Sequence, residues 1–414
     1  MLGFPIEWVR ASFPALHAGD KFVFFDNGAG AQVPQIVLDA VHDHLLKRNV
    51  QRGGRYRRSQ EVDEAIQHGR ESVATFLNAR DPREVAFGMN ATSFIRIVSL
   101  ALADTLRERK EIIVCEMDHE ANVATWLALQ RHGVQIRWWR VCEDGTLHLA
   151  DLEPLLNSKT RLVACTAASN ALGSIVDVKE VSRLAHAVGA EVFLDAVHYA
   201  PHGPIDVQDL DCDYLVCSGY KIFAPHMGFL WGKRPLLEAL PTFREDFIPD
   251  DVPAKLEVGT FVYENVAGMD AAITYLEELG ARVSPDERPP ARRFTLVQAM
   301  ESIRNYEAQL SSELLRVLAE LHGVTVYGIH EPCFAERRVP TVCFNVRGVP
   351  PSTVASKLAG KSIGVRDGNM YSPRLLKRLG ISEDSGAVRA SLAHYNTLDE
   401  IDRFISELRK IAHN

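Results

Sequence analysis

Leu215-Val216-Cys217-Ser218-Gly219-Tyr220-Lys221 reads as a buried strand that runs into a small-residue turn and ends on a lysine. Upstream, Val192-Phe193-Leu194-Asp195 is a second apolar run, closed by an aspartate. A lysine and an aspartate at the ends of two strands suit pyridoxal 5'-phosphate (PLP). The amine condenses with the cofactor aldehyde, and the carboxylate keeps the pyridine nitrogen protonated so that the ring draws electrons. Each residue alone also has an ordinary reading. Lysines after strands are mostly solvated, and strand-end aspartates mostly form turns or cap helices. The pair takes its meaning from its surroundings.

Those surroundings alternate short β-rich runs with helical stretches. The pattern predicts strands at Glu111–Cys115, Val134–Val141, Leu162–Thr166, Glu191–Asp195, Tyr214–Ser218 and Gly228–Trp231. It predicts helices at Gln60–Leu77, Ser93–Arg107, Ala121–His132 and Val178–Val188. Such alternation implies an α/β fold with a mostly parallel sheet covered on both faces. Ligands in such sheets sit beyond the carboxyl ends of the strands, where Asp195 and Lys221 fall. A polar, proline- and arginine-rich stretch at 281–293 reads as a boundary segment. A large domain is expected over 20–280. A smaller α+β domain is expected over 294–414, with a long helix at Thr295–Leu321, strands at Val324–Gly328, Thr341–Val346 and Gly386–Leu392, and a closing helix at Leu398–Ile411; residues 1–19 are expected to complete it.

The chain of 414 residues is long enough for two domains, and its net charge of -8 gives no reason to expect nucleic acid as a partner. No apolar run is long enough to span a bilayer and no secretory signal is visible, so neither a membrane nor export is expected. The 7 cysteines are scattered without a CxxC pair, and the 15 histidines form no ligand-spaced cluster. A cytoplasmic location and no metal are the expectations.

The ordered motifs resemble the class V aminotransferase family of fold-type I PLP enzymes, in its cysteine desulfurase and selenocysteine lyase-like branch. The resemblance runs from Phe25-Asp26-Asn27-Gly28-Ala29-Gly30 to Tyr395-Asn396-Thr397. It implies the following roles. His119, in Met117-Asp118-His119-Glu120-Ala121-Asn122, stacks on the cofactor ring. Ala91 and Thr92 match the phosphate-binding turn, at a helix start whose free amides favour an anion. Ser218 and Tyr220 hold the phosphate beside Lys221. Asn170, in Ser169-Asn170-Ala171-Leu172-Gly173, lies beside the phenolic oxygen and the substrate carboxylate. Asp195 is the pyridinium partner, and His198 stands where the family often has a glutamine bonded to the phenolic oxygen. Thr260, in Leu256-Glu257-Val258-Gly259-Thr260, reaches a neighbouring subunit's phosphate, which implies a homodimer with shared active sites. Arg389 grips the α-carboxylate of an amino acid substrate, for which a guanidinium fork is apt.

The chain departs from this pattern at Val365-Arg366-Asp367-Gly368-Asn369-Met370-Tyr371-Ser372-Pro373. The desulfurase loop carries a mobile catalytic cysteine at the position of Tyr371, and none of the 7 cysteines falls here. A desulfurase needs a thiolate to take up the substrate sulfur. Tyrosine can only act as a general acid or position a substrate. A second departure is the basic run Gln51-Arg52-Gly53-Gly54-Arg55-Tyr56-Arg57-Arg58, which reads equally as an anion site or as a solvated, salt-bridged loop. The expected activity is elimination or C–S cleavage on a cysteine-like amino acid without a protein persulfide. Epimerisation, transamination, a desulfurase using another thiol, and a non-catalytic relative remain as alternatives.

Overall fold

The computed structural model describes residues 3–19, 21–284, 291–382 and 384–413. A short strand β1 (Val23–Phe24) is followed by the seven strands of the main sheet: β2 (Val85–Gly88), β3 (Glu111–Cys115), β4 (Gln135–Trp139), β5 (Thr160–Thr166), β6 (Glu191–Asp195), β7 (Tyr214–Ser218) and β8 (Gly228–Gly232). Their spatial order is β2-β8-β7-β6-β5-β3-β4. Pairings among β3 to β7 are parallel, and β8 runs against both its neighbours.

The central strands show why these sequences pair. Val192 and Leu194 enter one core cluster and Phe193 the other; Leu215 and Cys217 separate in the same way from Tyr214 and Val216. A period of two with both sides buried is what a sheet covered on both faces demands. Helices Arg57–Leu77 and Tyr263–Val283 supply the first cover, and Ala91–Thr105 and Ala121–Leu127 the second. The connections leave the last residues of β5, β6 and β7, Thr166, Asp195 and Ser218, at one edge of the sheet.

The second sheet contains β9 (Val324–Tyr327), β10 (Thr341–Val346), β12 (Arg366–Gly368) and β13 (Ala387–Ser391), in the order β12-β13-β10-β9, all antiparallel. Strand β11 (Ile363–Gly364) pairs with β1.

The core clusters cut across the expected partition, as the N-terminal segment and one long helix show. Val9 and Phe13, around helix Ile6–Ser12, join the core of the main sheet, whereas Val23 and Phe25 join that of the second sheet. Phe13 meets Tyr275 edge-on within the large core, while Phe4 stacks on Tyr306, which packs against the second sheet's core, so the N-terminal aromatics touch both. Helix Arg292–Ala319 also belongs to both layers. Leu296, Ala299 and Ile303 enter the first cluster, and Leu310, Leu314 and Leu318 the third. The chain therefore passes between layers within this helix. Residues 285–290 of the expected boundary segment lie outside the described residues. Among the described residues no helix is long and apolar enough to cross a membrane.

Candidate active site

Lys221 ends the turn Gly219–Lys221 immediately after β7, and it is buried. Gly219 is required there, since a Cβ would lie 2.7 Å from the Pro225 carbonyl oxygen. Burial first, and then the Arg389 charge, pull the Lys221 amine down to about 8. Asp195 ends β6, is buried, and accepts the Val197 amide on Oδ1 at 2.9 Å. Burial raises its carboxyl, against the pull of that amide and of Lys221. Among the described residues neither Asp195 nor Lys221 is part of a salt bridge or a side-chain ion contact of its own. A buried carboxylate without a cation is costly, and a protonated ring nitrogen would supply that cation.

One cleft is lined by Ala91, Thr92, His119, Asn170, Asp195, His198, Ser218, Tyr220 and Lys221, so the fold brings together nine of the residues singled out from sequence. Asn90 starts the helix Ala91–Thr105 by accepting the Ser93 amide on Oδ1 at 2.9 Å. The Ala91 amide donates to Ser218 Oγ at 3.2 Å, which ties the helix start to the end of β7. Helix amides, two hydroxyl residues and the Tyr220 phenol at one corner make an anion cradle. Tyr220 is braced by a stacked His226 at 5.2 Å.

His119 accepts the Ala121 amide on Nδ1 at 3.1 Å. Burial, with Lys221 and Arg389, lowers it to about 4, so its ring is neutral. His198 is buried, with Nε2 2.9 Å from Thr341 Oγ1 and with Nδ1 lacking any partner. That orphaned nitrogen, next to Lys221 in the cleft, is the acceptor or donor a phenolic oxygen would satisfy. Burial pushes this histidine far below its usual range, so it too is neutral. The residues present therefore fit PLP.

Arg389 is 1% exposed. It donates to the Asn170 carbonyl at 2.8 Å and to Asp26 Oδ1 at 3.1 Å, and its Nε has no partner. Arg366 grips Asp26 as well, at 2.6 and 2.9 Å on Oδ2, so the carboxylate does not cancel the Arg389 charge. Gly28 lets Arg389 and His198 converge: a Cβ there would be 3.0 Å from Arg389 Cζ and 3.1 Å from His198 Cε1. Asp26 and Gly28 lay within a quoted motif but carried no assigned role; their partners are hundreds of residues away in sequence.

Tyr371 lies at the rim. Its ring centroid is 5.5 Å from that of His119, and the side chain is 55% exposed. Its carbonyl accepts the Glu120 amide at 2.8 Å. Asn170 fastens the same loop: its Nδ2 donates to the Met370 carbonyl at 2.7 Å and its Oδ1 accepts from Ser372 Oγ at 3.1 Å. Thr260 is not brought into this cleft; it is exposed and pairs with Gln51. In the basic run, Arg52 pairs with Asp63 and Glu257, and Arg57 and Arg58 pair with Glu61. For those three arginines the salt-bridged reading prevails.

All seven cysteines are free thiols and none lines the cleft. Cys343 is buried in β10, and burial pushes its thiol up to about 12. One grouping was not foreseen: Cys142, His148 and Asp151 converge within 4.8 Å of one another, and none of them lines the cleft.

A strand-end lysine and aspartate and a helix start beside a hydroxyl pair on one cleft, with a buried arginine that converges with the cleft residue His198 at Gly28, define a PLP-dependent enzyme of fold type I. The chain belongs to the aminotransferase class-V family, whose model matches residues 23–288 and 291–404. A probable cysteine desulfurase of Synechocystis sp. is 34% identical over 420 residues, covering 97% of this chain and 94% of that protein. The aminotransferase-like protein FGM3 of Gibberella zeae is also 34% identical, over 419 residues, with 99% and 98% covered. The apo cysteine desulfurase of Thermococcus onnurineus NA1 superposes with a TM-score of 0.88 at 27% identity, covering 100% of this chain and 99% of that one. The cysteine desulfurase CsdA of Escherichia coli, as its S-sulfonic acid, gives 0.83 at 28% identity, with 99% of both chains covered. The protein is a cysteine desulfurase-like, PLP-dependent enzyme.

Proposed function

We propose that this enzyme removes a sulfur substituent from Cβ of a cysteine-like amino acid by elimination, without a protein-bound persulfide, and that it does so as a homodimer. The observation that carries this reading is Tyr371 beside His119, with no thiol on the cleft. Ala91, Thr92, Ser218 and Tyr220 hold the cofactor phosphate, Asp195 its ring nitrogen, His119 its face, and Asn170 and His198 its phenolic oxygen. When bound, PLP supplies an electron-poor ring that stabilises negative charge at the substrate Cα.

The chain's own residues then divide the work. Arg389 holds the α-carboxylate, using the Nε–H that has no partner in the fold. Lys221, with an amine near 8, is a base matched to neutral pH and takes the Cα proton. The Cβ–S bond pair leaves with sulfur, and the Tyr371 hydroxyl gives it a proton. Cysteine plus water thus gives pyruvate, ammonia and sulfide. Thr260, exposed and absent from the lining of its own cleft, supports a second subunit whose phosphate it reaches. Seven free thiols suit a reducing compartment such as the cytoplasm.

The relatives' names favour a second reading, a desulfurase that recruits another thiol. Incubation of the PLP-loaded enzyme with L-cysteine separates the two. Pyruvate and sulfide in equal amounts are expected; alanine with sulfur retained as sulfane would overturn the elimination reading.

A further inference from the structure

The turn after β4 gathers four polar groups that neither cofactor nor substrate uses. Cys142 Sγ, a ring nitrogen of His148 and a carboxylate oxygen of Asp151 lie within 4.8 Å of one another. The thiol donates to Asp151 Oδ2 at 3.3 Å. His148 Nε2 is 3.0 Å from Asp144 Oδ2, so a second carboxylate fixes the imidazole. Among the described residues no lysine or arginine pairs with Asp144 or Asp151. Two acidic side chains flank the thiol and the imidazole, and no lysine or arginine bridges them among the described residues.

The backbone holds these groups in place. The Cys142 amide donates to the Thr146 carbonyl at 2.9 Å, and the Gly145 amide to the Cys142 carbonyl at 3.0 Å. Gly145 has φ +72 and sits against Gly328, where a Cβ would come within 2.4 Å of the Gly328 Cα. Trp139 Nε1 donates to the His148 carbonyl at 2.9 Å, and Ser174 Oγ to the Gly145 carbonyl at 2.9 Å. Ligands on a turn tied at both ends lose little freedom on binding.

We infer that Cys142, His148 and Asp151 bind a divalent zinc-type ion, with Asp144 orienting the histidine. A mixed sulfur, nitrogen and oxygen set is what zinc takes, and a carboxylate behind a ligating imidazole is its usual support. Three protein ligands leave the fourth position to water, as the exposure of His148 and Asp151 allows. The thiol donates a hydrogen bond to Asp151, and zinc takes sulfur as the thiolate, so binding releases that proton. The bound ion links Cys142 to the short helix Leu149–Leu152, which carries Asp151 and starts after His148. It secures the turn beside helix Pro373–Arg378, whose Arg378 donates to the Val141 carbonyl at 3.0 Å.

The test uses PLP-loaded enzyme treated with a chelator, desalted, and titrated with Zn2+ against a chromophoric zinc indicator and, separately, with Co2+. The expected result is one equivalent of zinc bound, one proton released, and cobalt bands in the red, clear of the cofactor. Cys142→Ser should abolish the thiolate-to-cobalt band, and Asp144→Asn should weaken zinc by about tenfold. Cys333→Ser, at the other cysteine open to solvent, should leave both unchanged. Equal PLP content and equal melting temperature of the metal-free proteins across the set show that the fold is retained. The inference is overturned if the wild-type enzyme retains no zinc, or if stoichiometric binding survives in Cys142→Ser/His148→Ala.

Discussion

Replacing Tyr371 by phenylalanine removes one hydroxyl and little else. The ring keeps its place 5.5 Å from His119, and the backbone at φ +57 makes the same demand of either aromatic. A positioned general acid is worth ~10²–10⁴ in rate. The side chain is 55% exposed, so water can partly stand in for it, and the lower end applies. That is ~10² in kcat, or about 2.7 kcal/mol of transition-state stabilisation. The loss must depend on the leaving group. Methanethiolate expelled from S-methylcysteine needs a proton; chloride expelled from β-chloroalanine does not. Steady-state pyruvate formation with both substrates should show the full loss on the first and near parity on the second. An equal loss on both would mean that the phenol only positions the substrate. No loss on S-methylcysteine would remove Tyr371 from the proton path altogether.

Two further outcomes follow from the site's electrostatics and hydrogen bonds. Lys221 must be neutral to condense with the cofactor aldehyde, and burial lowers its amine to about 8, so about a tenth of it is ready at pH 7. The neutral form is the competent one, so loading of apo enzyme with PLP, followed by absorbance, should speed up as pH rises and level off above about 8. A rate still climbing steeply at pH 10 would mean that Lys221 titrates as an ordinary exposed lysine. Asn170→Ala strips partners from the Met370 carbonyl and from Ser372 Oγ. Each loss costs ~1–3 kcal/mol. Amide exchange at residues 369–372 should therefore accelerate, while exchange in the central strands stays as it was. Unchanged exchange in the loop would show that Asn170 does not fasten it.

The inner strands β3, β5, β6 and β7 were legible because burial on both faces makes each one a short, largely apolar run, and strand ends then locate Asp195 and Lys221; the edge strand β2 (Val85–Gly88) was not among the strands read from sequence. The helices that escaped notice have physical reasons. Gln35–Arg48 buries only Val37 and His44 and leaves Leu38, Leu45 and Leu46 exposed, so it shows no apolar stripe. Tyr263–Val283 lies among three other helices, and burial on several sides blurs its period. The Asp26 link to Arg389 and Arg366 spans more than three hundred residues and has no local signal. The Cys142, His148 and Asp151 grouping joins an irregular turn to the start of the short helix Leu149–Leu152, which the regular spacings of helical ligand pairs do not describe.

The loop itself connects these readings. Met370 and Tyr371 both have left-handed backbones, at φ +54 and +57, and neither is a glycine. Each such residue costs ~1–2 kcal/mol. Met370 is buried, so packing accounts for its side chain. Tyr371 is largely exposed and packing does not account for it; a glycine there would relax the backbone and cost the core nothing. Strain held at an exposed residue beside a neutral, buried His119 points to the side chain's chemistry. The anchors point the same way. Asn170 holds the Met370 carbonyl, the Glu120 amide holds that of Tyr371, and Arg374 is ion-paired with Glu120. A loop that carries sulfur from a substrate to an acceptor has to swing between them. A loop pinned on both sides of a tyrosine suits a group that delivers its proton where it stands, which is the role proposed for Tyr371.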